Sequence, residues 1–416
     1  DGVLFWGQFP PGDWPDGVPR RDIAREERSG PPAPVRLHDE PAVDRRLRSV
    51  ALREDGAQPP AGDGRGHALA SSAGGPRWTQ DPGRPHAHWA ATGPQELGVV
   101  EPLVERLRDG RFLAVLPIVE LARRVLGSTP EPVSACFLFD DPNLHWPTYG
   151  HVRFAQLARE GARCGYHVAF ATVPLDAWYT HPAARAVFSE HPDRLSLIIH
   201  GNEHVRHELG RVSDDAGALA LARQALARIE ALERRDGLRV GRVMAPPHGV
   251  CSETMAGGLR RAGFEALTVN VPGPGPPDAL AGWQPNRHVA GGLPVLYRWP
   301  FDTPVADLAL LSYLGHPIVL YGHHTDLAAG ADVLGELHGA LAAAVQPRWE
   351  SLETIVRRTG RQGRTGDAPP PANISRRPRA ASAWPVVRRV LVEARDRSHP
   401  LRARAGSPAP GAGRRG

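Results

Sequence analysis

Two histidines four residues apart, His200 and His204, have the type and spacing needed to hold a metal ion. They stand in the segment HGNEH, directly after the apolar run LSLII. Side chains at positions i and i+4 can lie on one side of a turn, and imidazole is a preferred ligand of zinc and neighbouring transition metals. We therefore predict that this pair supplies two ligands to one ion.

Two adjacent carboxylates, Asp140 and Asp141, follow another apolar run, ACFLF. Ionised carboxylates at the end of a buried strand are costly unless a partner compensates their charge, and a bound cation would do so. Helix capping is the ordinary alternative for an aspartate. It explains little here, because Pro142 follows and the next amphipathic segment begins only at His151. One aspartate would complete a set of three ligands while the other faces water at the ion.

A second histidine pair, His323 and His324, follows the apolar run IVLYG. Three protein ligands leave one coordination position open, as in catalytic rather than structural zinc sites. A metal ion polarises a carbonyl group and lowers the pKa of water, but amide hydrolysis also needs an acid that protonates the leaving amine. Because neighbouring residues of an extended strand point in opposite directions, one histidine of this pair should act as that acid, and we favour His323.

The elements that must position these groups form a repeating pattern between residues 133 and 356. Seven near-continuous apolar segments alternate with amphipathic segments that have helical spacing. This alternation predicts parallel strands joined by right-handed crossovers and covered on both faces. The polar groups described above all follow apolar segments. In a (β/α) barrel such strand ends converge on one face, where active sites lie.

The order of the motifs resembles the polysaccharide deacetylase family, also called the NodB-homology or carbohydrate esterase family 4 fold, over residues 133–356. FDDP is similar to the first family motif, T-F-D-D-G, and HGNEH to the second, H-S/T-x-x-H. APPHG keeps part of the third motif, R-x-P-x-G, and IVLYGHH is similar to the final one.

The resemblance implies a distorted (β/α)7 TIM-like barrel, a divalent metal ion with zinc expected, and removal of an N-acetyl group from a sugar. It implies that Asp140 is the catalytic base, that Asp141, His200 and His204 are the metal ligands, and that a histidine of the last motif is the acid. Amides other than acetylated sugars remain open as substrates.

Two departures from the family pattern bear on activity. Ala245 stands where the family has the arginine that tethers the catalytic aspartate, and Pro142 stands where it has glycine. Arg298, on another predicted strand, is a candidate replacement for that arginine. A member of the same fold that binds a glycan or metabolite without turnover is therefore an alternative.

Substrate contacts are expected from residues near the predicted strand ends. Flat aromatic rings suit the C–H faces of sugar rings, although large aromatic residues at a barrel rim also serve simply to cover the core. The candidate substrate-binding residues are Trp146, Tyr149, Trp178, Pro247, His248 and Trp299.

HGNEH also fits the H-x-x-E-H pattern of inverted zinc peptidases, in which Glu203 would be the base on a helix. Gly201 and Asn202 disfavour a helix at this point. This alternative also leaves the two aspartates of FDDP without a role.

Composition divides the 416 residues into four parts. Residues 1–104 are rich in Pro and Gly and predict a low-complexity, largely irregular extension. Residues 105–130 predict a helical lead-in, residues 131–356 the barrel, and residues 357–416 a disordered, Arg- and Pro-rich tail.

Charge and residue usage exclude several classes of protein. The formal net charge is +5, but residues 357–416 alone carry 15 Arg against three acidic residues, so the positive charge belongs to the tail. No recognisable nucleic-acid module accompanies it, and no apolar run approaches the ~20 residues of a membrane helix. Three widely spaced cysteines give neither a disulfide framework nor a zinc ribbon. With no signal-peptide pattern in view, we expect a cytoplasmic enzyme acting on a carbohydrate or small amide.

Overall fold

The computed structural model describes residues 33–40, 43–48, 51–54, 66–90, 116, 132–270, 289–313 and 315–362. Within these residues the chain forms an antiparallel sheet followed by a larger parallel barrel. The predicted helical lead-in at 105–130 lies outside the described residues, except for Leu116, which is helical. Among the helices of the described residues, none combines the length and the apolar character that crossing a membrane requires.

The first sheet lies in the region for which composition predicts an irregular extension, and the structure differs from that expectation. Its strands are β1 (Ala33–Leu37), β2 (Ala51–Glu54), β3 (His67–Ser72), β4 (Gly75–Asp81) and β5 (Arg84–Ala90), in the order β2-β1-β3-β4-β5. Val35, Leu69 and Trp78 are fully buried. Glycine clusters in the tight turns, such as 73–75, so a composition rich in Gly is compatible with a packed sheet.

This sheet is attached to the barrel through the segment 43–48. Arg46 donates to the backbone carbonyl of Ser312 over 2.8 Å and lies 5.6 Å from the centre of the Tyr313 ring. Its charge is paired with Asp44 at 2.6 Å, and both side chains are buried.

The remaining strands follow in chain order. They are β6 (Ser134–Asp140), β7 (Thr148–Tyr149), β8 (Val152–Arg153), β9 (Val168–Thr172), β10 (Leu195–His200), β11 (Val240–Ala245), β12 (Ala266–Asn270), β13 (Val289–Ala290), β14 (Leu293–Pro300), β15 (Ile318–Gly322) and β16 (Arg348–Trp349). Seven of them form a closed parallel barrel in the order β6-β9-β10-β11-β12-β14-β15, with β15 pairing β6 again. The predicted (β/α)7 barrel is confirmed.

Seven helices accompany the barrel strands in the described residues. They are α1 (Phe154–Cys164), α2 (Pro182–Glu190), α3 (Asp215–Asp236), α4 (Glu253–Ala262), α5 (Val305–Tyr313), α6 (Asp332–Ala344) and α7 (Leu352–Gln362). The boundaries follow from capping. Asp214 accepts the Gly217 N–H at 2.8 Å to begin α3, and Gly237 ends that helix with a left-handed φ of 69°.

The barrel interior is filled by alternate residues of the strands, because successive side chains of a strand point to opposite faces. Small and aliphatic side chains such as Cys136, Leu138, Ala169, Ile198 and Leu296 form this inner core.

Helix α7 packs against strands β6, β11 and β14 and adds Leu352, Ile355 and Val356 to the inner core. It therefore closes the end of the barrel at which the strands begin. The helix extends to Gln362, so the chain beyond residue 356 is not all tail as composition predicts. Residues 363–416 lie outside the described residues.

Candidate active site

A layer of polar side chains lies at the other end of the barrel, where the strands finish. Asp140, His200, Asn270 and Arg298 each stand two positions after a residue that faces the interior, so alternation directs them to the same side. Asp140, His200 and Arg298 are almost fully buried. Four different strands therefore contribute to one polar cluster, as convergence of the strand ends predicts.

The three predicted ligands lie close together at this end of the barrel. One carboxylate oxygen of Asp141 lies 3.3 Å from Nε2 of His200 and 3.1 Å from Nε2 of His204. The three donor atoms all lie within 4.8 Å of one another. Asp141 follows the last residue of β6 with a left-handed φ of 71°, which breaks the alternation of the strand.

The short loop after β10 returns His204 to the cluster. Gly201 turns the chain with a φ of 60°. The carboxylate of Glu208 then accepts the backbone N–H groups of Asn202, Glu203 and His204 at 2.6, 3.1 and 3.0 Å. A Cβ atom at Gly201 would lie 2.3 Å from the same carboxylate. Sequence reasoning missed Glu208, because a hydrogen-bonded turn of this kind leaves no periodic signal.

The peptidase alternative does not agree with this geometry. The HGNEH segment forms a strand end and a bend rather than a helix. Glu203, the base in that alternative, is paired with Arg228 on α3 at 2.9 Å. The sequence argument from Gly201 and Asn202 is thereby supported.

The environment of His200 favours a cation. Its Nδ1 lies 2.8 Å from the backbone carbonyl of Ala245, which leaves Nε2 directed at Asp141. Burial lowers the pKa of His200, but the carboxylates of Asp140 and Asp141 outweigh that effect and raise the pKa above its ordinary value. The same negative potential would attract a metal ion. With one carboxylate and two imidazoles, the donor set fits zinc.

Asp140 is held by a buried ion pair rather than by the histidines. Nη1 of Arg298 lies 2.7 Å from a carboxylate oxygen of Asp140. Nε of Arg298 donates to Asn270 at 2.9 Å, and the guanidinium lies 4.4 Å from the centre of the Tyr321 ring. Arg298 thus pairs with Asp140 as the sequence suggests, since the family's arginine is replaced by Ala245 at the end of β11.

The two histidines after β15 have different neighbours. The ring of His324 packs against the β7–β8 hairpin, 5.3 Å from Tyr149 and 5.9 Å from His151. His323 is exposed, and its ring lies 6.4 Å from that of Tyr321. His323 directly follows the last residue of β15, two positions after Tyr321, which packs with the inner core.

The predicted substrate-binding residues do not all lie at the site. Trp299 is 5% exposed, packs with the outer core beneath the helices and lies 6.4 Å from His316. It follows the inward-facing Arg298 and must therefore point outward. The sequence-based role of Trp299 as a substrate contact is not compatible with this position.

The other candidates lie in loops after the strand ends. Trp146 and Trp178 are 47% and 51% exposed, and Tyr149 is half-buried. His248 is exposed, with its ring 5.4 Å from that of His204. Pro247 is buried and packs close to the backbone of Gly201.

Backbone strain marks the same region. In the described residues five residues other than glycine adopt a positive φ, and four of them lie in these loops: Asp141, His204, Arg206 and His248. Such conformations cost free energy and cluster at functional sites. The metal candidates thus coincide with the strained part of the backbone.

Comparison with known proteins finds no matching family model and no matching curated protein. Three solved structures illustrate the structural similarities. A putative polysaccharide deacetylase from Mycobacterium smegmatis is 15% identical, covering 60% of this chain and 96% of that one with a TM-score of 0.43. A family 4 carbohydrate esterase from Streptomyces lividans is 14% identical, covering 51% and 90% with a TM-score of 0.31.

The third is a carbohydrate esterase family 4 pseudoenzyme from Bacillus anthracis. It is 12% identical, covering 56% of this chain and 63% of that one with a TM-score of 0.26. At such identities the likeness concerns the fold, and the chemical argument stays with the residues of this site. In its barrel and in the order of its motifs, the chain resembles the polysaccharide deacetylases.

Proposed function

We propose that the protein is a divergent deacetylase of the polysaccharide deacetylase type, which hydrolyses the amide bond of an N-acetylated sugar or a related small amide. The observation that supports this most directly is the position of Asp141, His200 and His204, far apart in the sequence but within 4.8 Å of one another in space. The buried carboxylate of Asp140 stands next to this triad in the chain and is already paired with Arg298.

Asp141, His200 and His204 would hold a divalent ion, for which zinc is the best fit to the donor set. When bound, such an ion supplies Lewis-acid polarisation and makes water more acidic. The hydrogen bond between His200 and the Ala245 carbonyl fixes which nitrogen of the imidazole is offered.

Asp140 would act as the base. The ion pair with Arg298 holds its carboxylate in place in a buried position. It takes a proton from the water that attacks the amide carbonyl carbon.

His323 would act as the acid that donates a proton to the amide nitrogen as the C–N bond breaks. The products are acetate and the free amine. Its exposed position directly after β15 leaves it accessible to a substrate, whereas His324 is packed against the hairpin.

A carbohydrate is the substrate class that best fits the exposed aromatic residues at this end of the barrel. Trp146 and Trp178 expose large parts of their rings in the loops after β6 and β9, where aromatic faces could stack on sugar rings. The ring of Trp178 is supported by His145, 4.6 Å away. Tyr149, Pro247 and His248 would line the approach to the triad.

A non-catalytic protein that binds a glycan or metabolite on the same barrel is the second candidate. Pro142, in the position of the family glycine, and the loss of the arginine at Ala245 are the observations that favour it. The alanine at position 245 is weaker evidence than Pro142, because Arg298 pairs with Asp140.

The experiment that distinguishes the two is substitution of Asp140→Asn in the full chain, with metal content and acetate release from acetylated amino sugars as readouts. The enzyme hypothesis predicts that metal is retained while acetate release falls by about 10²–10⁴-fold. Asp193→Asn, at the opposite end of the barrel, is the matched control and should leave both readouts unchanged. Failure of the unsubstituted protein to release acetate while it retains metal would favour the binding protein.

A further inference from the structure

A second pair of histidine rings stands at the rim of the candidate active site. The ring centres of His207 and His248 lie 5.0 Å apart, close to the 4.9 Å that separates His200 from His204 in the triad. Two imidazoles bound to one tetrahedral zinc have ring centres about 5 Å apart, because each nitrogen lies about 2.0–2.1 Å from the ion. The separation of the His207 and His248 rings is therefore compatible with a shared zinc ion.

The two loops that hold this pair are tied together. The N–H of Ser252 donates to the Leu209 carbonyl over 3.1 Å, and a Cβ atom at Gly210 would lie 2.5 Å from the Val250 side chain. His248 itself has a left-handed φ of 57°, a costly conformation for a residue other than glycine. These contacts hold the backbones of the two loops close to one another.

Both rings are exposed to solvent, so an ion could reach them without displacing core residues. The pair adjoins the triad, because the ring centres of His248 and His204 lie 5.4 Å apart. His207 follows three positions after His204 in the chain.

We propose that His207 and His248 form a second, exchangeable zinc site at the mouth of the barrel. This site offers two imidazoles, no carboxylate of the described residues completes a metal-binding group with them, and an ion in the triad would repel the incoming charge. It therefore fills only after the triad and releases zinc first. An ion at this rim position hinders approach to the triad, so excess zinc inhibits any reaction catalysed there.

The test is a zinc titration of the metal-free full chain, followed by calorimetry and by metal analysis at equilibrium. The proposal predicts two classes of zinc site. Loss of the weaker class alone is expected in His207→Ala and in His248→Ala, and loss of the stronger class in Asp141→Ala. His191→Ala, at the opposite end of the barrel, is the matched control and should keep both classes.

A single class of zinc in the unsubstituted protein, or a weaker class that persists in both His207→Ala and His248→Ala, would overturn the proposal. Thermal melts of the variants establish that each is folded. The readout is metal stoichiometry, so the two zinc classes can be found even if the protein releases no acetate. Conversely, acetate release with a single zinc class would leave the deacetylase proposal standing and refute this one.

Discussion

The two ends of the barrel use the same strands for opposite purposes. Where the strands begin, Leu352, Ile355 and Val356 of α7 fill the interior with apolar side chains. Where they finish, the same inward-facing positions carry Asp140 and Arg298, which are ionisable and buried. The strained backbone conformations also gather at this second end. One end of the barrel therefore stabilises the fold, whereas holding charged groups in place at the other end lowers the free energy of unfolding.

The largest expected effect on stability comes from Arg298→Met. This change leaves the buried carboxylate of Asp140 without its cation and should lower the free energy of unfolding by about 3–5 kcal/mol. Arg239→Met is the control at the other end, where the arginine is exposed and lies 3.4 Å from Glu353; loss of such a pair should cost less than about 1 kcal/mol. Urea unfolding measures both, and equal losses would refute the contrast between the ends.

Ile355→Ala tests the apolar end of the barrel, where the strands begin. The residue is fully buried, so the cavity and the lost apolar contacts should lower the free energy of unfolding by about 2–5 kcal/mol. Metal content should not change, because α7 lies at the end of the barrel away from the triad. A variant that folds but loses its metal would show that the two ends are coupled.

Glu208→Gln tests the loop that returns His204 to the triad. The charged acceptor of three backbone N–H groups is weakened, and metal affinity should fall by about 10–100-fold, as for other groups that orient ligands. Competition with a chelator measures this affinity. Glu230→Gln changes an exposed carboxylate on α3 and is the control. A similar loss of metal affinity in Glu230→Gln would show that the contact between Glu208 and the loop is not the cause.

The smallest effect concerns thiol reactivity. Burial, with a further contribution from Glu253, raises the pKa of Cys251 to about 12, and burial raises that of Cys136 still further above its ordinary range. At neutral pH both stay protonated, so alkylation of the folded protein should be slow and should become fast after unfolding. Mass spectrometry follows the two sites. Rapid labelling of Cys136 in the folded protein would show that the closed end of the barrel opens.

Much of the barrel could be predicted because its strands are near-continuous apolar runs bounded by polar turns. Three helices were not predicted. α2 is short, and α5 is buried along almost its whole length, so neither shows a clear amphipathic period. α7 was missed because its second half lies in the Arg-rich residues that composition assigns to the tail. The first antiparallel sheet also escaped, because its strands are short and their composition is dominated by turn residues.

The cluster of candidate metal ligands could be predicted because acidic and histidine residues directly follow apolar runs, and strand ends of a parallel barrel converge. The error at Trp299 has a simple cause. Adjacent residues at a strand end point in opposite directions, and only the closed register of the barrel decides that Arg298 faces inward. Asn270 follows the same rule and could have been found as a polar residue at a strand end.

Metal content of the purified full chain tests the central claim most directly. After dialysis against metal-free buffer, the account predicts one tightly held divalent ion per chain, and none in Asp141→Ala. An unsubstituted protein that binds no ion when zinc is supplied, or an Asp141→Ala variant that holds it equally well, would contradict the account.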